Sequence, residues 1–180
     1  MALRDSLRRL LGGEGLPDGV AGRLEADERV LATARTADGG HLVVTSWGLW
    51  LPDADGMRRV GWHLVSKATW RNDALAVVEA VEVEEIAVGD GPTAVLLADR
   101  PARRFRLADA GRVPEAVHAR VEGSIRSRHR RDLPGGGVWF VQRKVPGRDG
   151  IVLQVRPDPG TDPAVAVQLT TDVVRSLGRV

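Results

Sequence analysis

Residues 40–71 read GHLVVTSWGLWLPDADGMRRVGWHLVSKATWR and hold four of the five tryptophans: Trp47, Trp50, Trp62 and Trp70. Leu42-Val43-Val44-Thr45 is an apolar, β-branched run. Ser46-Trp47-Gly48 interrupts it, and Leu49-Trp50-Leu51 resumes it. Two short apolar runs about a small turn predict a β-hairpin. Pro52-Asp53-Ala54-Asp55-Gly56 is built from residues that favour turn geometry. Val60, Trp62, Leu64 and Val65 then open another extended run. Alternation sets Trp62 on the face of Val60 and Leu64, in the core, and turns Trp50 away from Leu49 and Leu51.

The chain on either side continues the pattern. Arg29–Thr36 reads as the strand before the hairpin, after a polar, turn-like stretch over 14–28. Ala74–Val83 is Val-rich, with glutamates that suit a strand wet on one face. Thr93–Ala98 follows a Gly-Asp-Gly-Pro turn. In Arg103–Leu107, Phe105 and Leu107 alternate with Arg104 and Arg106, which places the two arginines outward. The period then changes. Val113, Ala116, Val117, Val121, Ser124 and Ile125 form a helical stripe, with Pro114 near its start, and predict a helix to about His129.

Asp132-Leu133-Pro134-Gly135-Gly136-Gly137 reads as a linker. Beyond it, Val138–Val145 and Ile151–Arg156 predict a hairpin. A helix follows, with Asp162 as N-cap, Pro163 first, and Val165, Leu169, Val173 and Leu177 on its apolar face. At the other end, Leu3, Leu7, Leu10 and Leu11 predict a short basic amphipathic helix over 2–11.

Glu28-Arg29-Val30-Leu31, Leu42–Thr45, Gly48-Leu49-Trp50-Leu51, Val60–Val65 and Trp70 together resemble a bacterial pleckstrin-homology-like domain, the superfamily that includes the GRAM domains. The resemblance covers roughly residues 20–130. It implies a bent β-barrel of about seven strands closed by a C-terminal helix. It also implies docking on lipid, peptide or protein, with no catalytic residues to carry over. The expected architecture is therefore α+β in three parts. An N-terminal helix and linker span 1–19, a pleckstrin-like barrel with its capping helix spans 20–131, and a ββα extension packed on the barrel spans 132–180.

Composition narrows the chemistry. Cysteine is absent, which removes disulfides, thiolate nucleophiles and cysteine-based metal sites. The four histidines, His41, His63, His118 and His129, show no metal-ligand spacing, and no GxSxG elbow or phosphate loop occurs. No catalytic residue, cofactor or metal is expected. No apolar run is long enough to span a membrane, and the expected location is the cytoplasm.

Charge supplies the surface candidate. Residues 1–99 hold 10 Lys+Arg and 16 Asp+Glu, and residues 100–180 hold 16 and 8. The second half gathers Arg104, Arg106, Arg120, Arg126, Arg128, Arg130 and Arg131. Arginine forks suit carboxylate and phosphate. These seven are the candidate surface, unless the acidic half pairs with them. The functional expectation is a non-catalytic docking or assembly module for a protein partner or a second copy of the chain. The alternatives are a binder of nucleic acid or anionic lipid through an Arg-rich helix, and an enzyme.

Overall fold

The computed structural model describes residues 15–178. The helix expected over 2–11 lies outside the described residues. The fold is α+β and mostly sheet. Its elements are α1 (Asp18–Ala21), β1 (Val30–Thr36), β2 (His41–Thr45), β3 (Gly48–Asp53), β4 (Gly56–Gly61), a 3-10 turn (Trp62–Leu64), β5 (Val65–Arg71) and β6 (Ala74–Ala87). β7 (Thr93–Asp99), β8 (Arg103–Asp109), α2 (Val113–Ser124), β9 (Ile125–Leu133), β10 (Gly136–Lys144), β11 (Ile151–Pro157) and α3 (Pro163–Leu177) complete the chain.

Two compact units divide these elements. The first holds the described residues up to Glu79 together with Pro101–Gly123, and the second holds Ala80–Arg100 and the chain from Ser124. The expected boundaries at 19/20 and 131/132 are thus replaced by three crossings, at 79/80, 100/101 and 123/124. β6 belongs to both units, changing over between Glu79 and Ala80.

In the first unit the strand order is β4-β3-β2-β1-β8-β6-β5. β4 and β5 stand at its ends and do not pair with each other, so among the described residues strand pairing does not close the sheet. The alternating apolar residues of the opening stretch do bury together. Leu42, Val44, Leu49, Leu51, Val60 and Trp62 meet Leu75, Val77, Phe105 and Leu107 in one core, which Val113, Val117 and Val121 of α2 cover. Trp62 reaches this core from the 3-10 turn and not from a strand, with its indole N–H donating to the Thr45 carbonyl at 3.0 Å. Trp50 does turn away from Leu49 and Leu51, but it is only 2% exposed. It packs with Val20, Val30 and Val43, so the stretch expected to be polar contributes α1 and a buried Val20.

In the second unit the order is β6-β7-β11-β10-β9, antiparallel except for β11 beside β7. The hairpin of β10 and β11 has Phe140 opposite Val155. α3 begins as expected, with the Asp162 carboxylate accepting from the Ala164 N–H at 2.9 Å. Its buried face is Ala166, Thr170 and Val174, one position on from the expected stripe, while Val165 and Leu177 are 43% and 46% exposed. The shift works because the Thr170 hydroxyl donates back to the Ala166 carbonyl at 2.7 Å, so a polar side chain can go inside.

Two expectations fail together at residues 124–137. α2 ends at Ser124, and the arginine-rich segment after it is strand β9. The expected linker is a tight hairpin turn. Gly136 pairs with Leu133 around Pro134-Gly135, and Gly135 takes φ +84. Proline fixing one φ and glycine supplying a positive φ make a turn as readily as a linker. Gly136 and Gly137 are small for packing. A Cβ at Gly136 would lie 2.5 Å from the Thr161 hydroxyl, and one at Gly137 would lie 2.7 Å from an Arg130 nitrogen.

Candidate functional site

The sheet of the first unit exposes one face of β5, β6 and β8. The β5–β6 hairpin turns on Asn72 and Asp73, both with positive φ (50 and 55). A two-residue turn of this hand fixes register. The Asp73 carbonyl also accepts from the Leu107 N–H at 2.9 Å, which ties the turn to β8. The register is therefore set across three strands. Arg71 pairs with Ala74 and Ala74 with Arg106; Thr69 pairs with Ala76 and Ala76 with Arg104; Lys67 pairs with Val78. Directly paired residues share a face. Leu75, Val77, Phe105 and Leu107 take the other face, into the core.

The outward face is thus a floor of Ala74, Ala76 and Val78 between two cationic walls. Lys67 and Arg71 form one wall, and Arg104 and Arg106 the other. The walls stand about 10 Å apart, twice the spacing of neighbouring strands. All four cations are exposed. None has an ion pair or side-chain hydrogen bond among the described residues. Two other cations of the same unit, Arg58 and Arg59, are held in ion pairs. Arg58 makes a bidentate bridge to Glu79 at 2.7 and 2.8 Å and also holds Asp53. Hydrogen bonding to Glu79 outweighs burial and, with Asp53, raises the Arg58 guanidinium above its ordinary value. Arg103, on the core side of β8, donates to the Pro52 carbonyl and lies over the Phe105 ring at 5.1 Å.

The seven arginines expected as one surface are divided. Arg104, Arg106 and Arg120 lie in the first unit, Arg120 exposed on α2. Arg126, Arg128, Arg130 and Arg131 lie on β9 in the second. The helix end expected to present these four is instead a strand, which among the described residues pairs with β10 alone. Arg130 is held by Asp132 and by Asp158 at 2.6 Å, and sits 6.0 Å from the centroid of Trp139. Arg126, Arg128 and Arg131 are exposed and make no ion pair among the described residues. The acidic half therefore neutralises none of the seven among the described residues, and Arg130 is held by acids of its own half. The expected surface omits Lys67 and Arg71. Their signal in sequence is weak, because β8 joins β6 across the intervening β7.

A second ordered cluster is structural. The buried Glu28 carboxylate accepts from the Thr45 hydroxyl at 2.5 Å, the Trp50 indole at 3.0 Å and the Glu25 N–H at 3.2 Å, and it pairs with Arg59. Arg59 lies over both Trp47 (5.3 Å) and Trp50 (5.6 Å). These donors are satisfied internally, so the cluster is a joint between β2, β3 and β4. Among the described residues no helix is long and apolar enough to cross a membrane.

No family model matches the chain, and no curated protein or solved structure matches it.

Proposed function

We propose that the chain is a non-catalytic docking module whose first unit is pleckstrin-homology-like and binds an anionic partner on the β5–β6–β8 face. The fold reading is supported by seven strands followed by a helix that covers their core. One observation carries the functional reading: four exposed cations, without partners among the described residues, are set in register on both sides of an apolar floor. Solvated surface cations scatter; here a strand pairing of fixed register places them together.

Retention on heparin–agarose tests this. Wild type is expected to be retained at low salt. Arg71→Ser/Arg104→Ser/Arg106→Ser should elute much earlier, with the salt slope of binding falling by roughly one unit for each arginine–sulfate pair removed. Arg126→Ser/Arg128→Ser/Arg131→Ser removes the same charge from β9 and should leave most of the retention. No retention of wild type, or equal losses in the two triples, would overturn the reading. Loss only in the β9 triple would favour the alternative, a polyanion site on that strand.

A further inference from the structure

We infer that the occupant of the β5–β6–β8 face is an extended, acidic protein segment lying along β6. The inference rests on the docking reading above and deepens it. The face selects for shape as well as charge. Its floor on β6, Ala74 and Ala76 with Val78 beside Lys67, is apolar throughout, so a backbone can approach β6 without meeting a polar side chain. Cations flank that floor on both sides. An extended chain sends successive side chains to opposite sides. Consecutive acidic residues would therefore meet both walls at once, whereas a helix turns its side chains around its own axis. Arg104 and Arg106 are two residues apart on β8, about 7 Å, which is also the spacing of alternate side chains in an extended peptide. Guanidinium forks take carboxylates in bidentate fashion. Acidic segments also repel themselves into extended form before binding.

The face lacks what other anionic partners need. Single-stranded nucleic acid binds with bases stacked on aromatic rings. Trp70, although 39% exposed, pairs with Leu75 and so lies on the opposite face of β5 from the cations. A membrane surface takes up apolar side chains beside the cations. Here the apolar groups, Ala74, Ala76 and Val78, are buried or half-buried, with Ala74 buried between Arg71 and Arg106.

Fluorescence anisotropy on the full chain tests the inference. The first probe is a labelled peptide of six consecutive Asp and Glu residues. The second has the same six acids at every third position, separated by Gly and Ser. A labelled dT15 oligonucleotide and vesicles containing anionic phosphatidylglycerol complete the set. The contiguous peptide should bind at least about tenfold more tightly than the spaced one, since equal charge out of register forfeits bidentate pairing. Lys67→Ser/Arg71→Ser and Arg104→Ser/Arg106→Ser should each weaken it by about tenfold or more, because both walls are used. Arg126→Ser/Arg128→Ser should not. Circular dichroism would check that the variants, all at exposed positions, stay folded. Equal binding of the two peptides, or tighter binding of dT15 or vesicles, would overturn the inference and leave the docking face standing. Binding of none of the probes, together with no heparin retention, would overturn both.

Discussion

Glu28 sits where a charge is costly and is retained because four donors converge on it. Glu28→Ala should lower stability by about 3 kcal/mol, because it leaves the buried Trp50 N–H without its acceptor and takes from Arg59 the nearer of its two carboxylates. Urea denaturation measures this, and a midpoint unchanged from wild type would show the joint to be dispensable. Part of this is legible in sequence. Glu28, Thr45, Gly48 and Trp50 are among the residues that carry the family resemblance, and alternation puts Trp62 in the core. Their meeting on one carboxylate is not legible, since a hydrogen bond between residues 22 apart leaves no local period. The alternation argument for Trp62 also reaches the right burial through the wrong geometry, because a 3-10 turn replaces the strand.

β9 shows how two periods compete over a short stretch. Val113, Val117, Val121 and the buried Ser124 set a true helical stripe, and Ile125, the first residue of β9, extends it by chance. Arg126, Arg128 and Arg130 carry the period of two that the strand obeys. On an edge strand such charges have a second use: they keep other strands from pairing with it. Arg126→Val/Arg128→Val should therefore speed aggregation at neutral pH, followed by light scattering and thioflavin fluorescence. Kinetics identical to wild type would remove that role. The strands readable from sequence, β1 to β3, β6 to β8, β10 and β11, have alternation or apolar runs bounded by turns. In the docking face, Arg104 and Arg106 are legible for the same reason. Their neighbours Lys67 and Arg71 need the non-local pairing of β6 with β8.

At the scale of the molecule the chain threads between its units three times. Composition alone suggests a barrel followed by an appendage, because the Pro-Gly-rich stretch has the make-up of a boundary. The boundaries instead fall inside β6, after β7 and at the end of α2. Removal of residues 134–180 would take away β10, β11 and α3. It would leave β9 without its partner, β7 without β11, and Ile86, Ala94 and Leu96 uncovered. The fragment 1–133 should therefore be insoluble or aggregate on concentration. A soluble monomer by sedimentation velocity would show that the second unit is not needed to cover those residues. The acidic half holds none of the seven arginines among the described residues. Ion pairs Arg58–Glu79 and Arg59–Glu28 lie within the first half, and Arg130–Asp158 and Arg175–Asp172 within the second. Arg156–Asp99, at 3.5 Å, joins the two halves but uses none of the seven arginines.

The joint around Glu28 has a use in recognising distant kin. Thr45 lies 17 positions after Glu28, Gly48 three positions later, and Trp50 22 positions after Glu28. A side chain at Gly48 would run into the Val60 carbonyl, so that position admits no substitute. A chain that keeps this corner must keep the spacing of acid, hydroxyl, glycine and indole, while turns outside it are free to change in length and composition. A search for those four residues at those intervals would thus read ancestry from a hydrogen-bond pattern, in sequences too diverged to align from end to end.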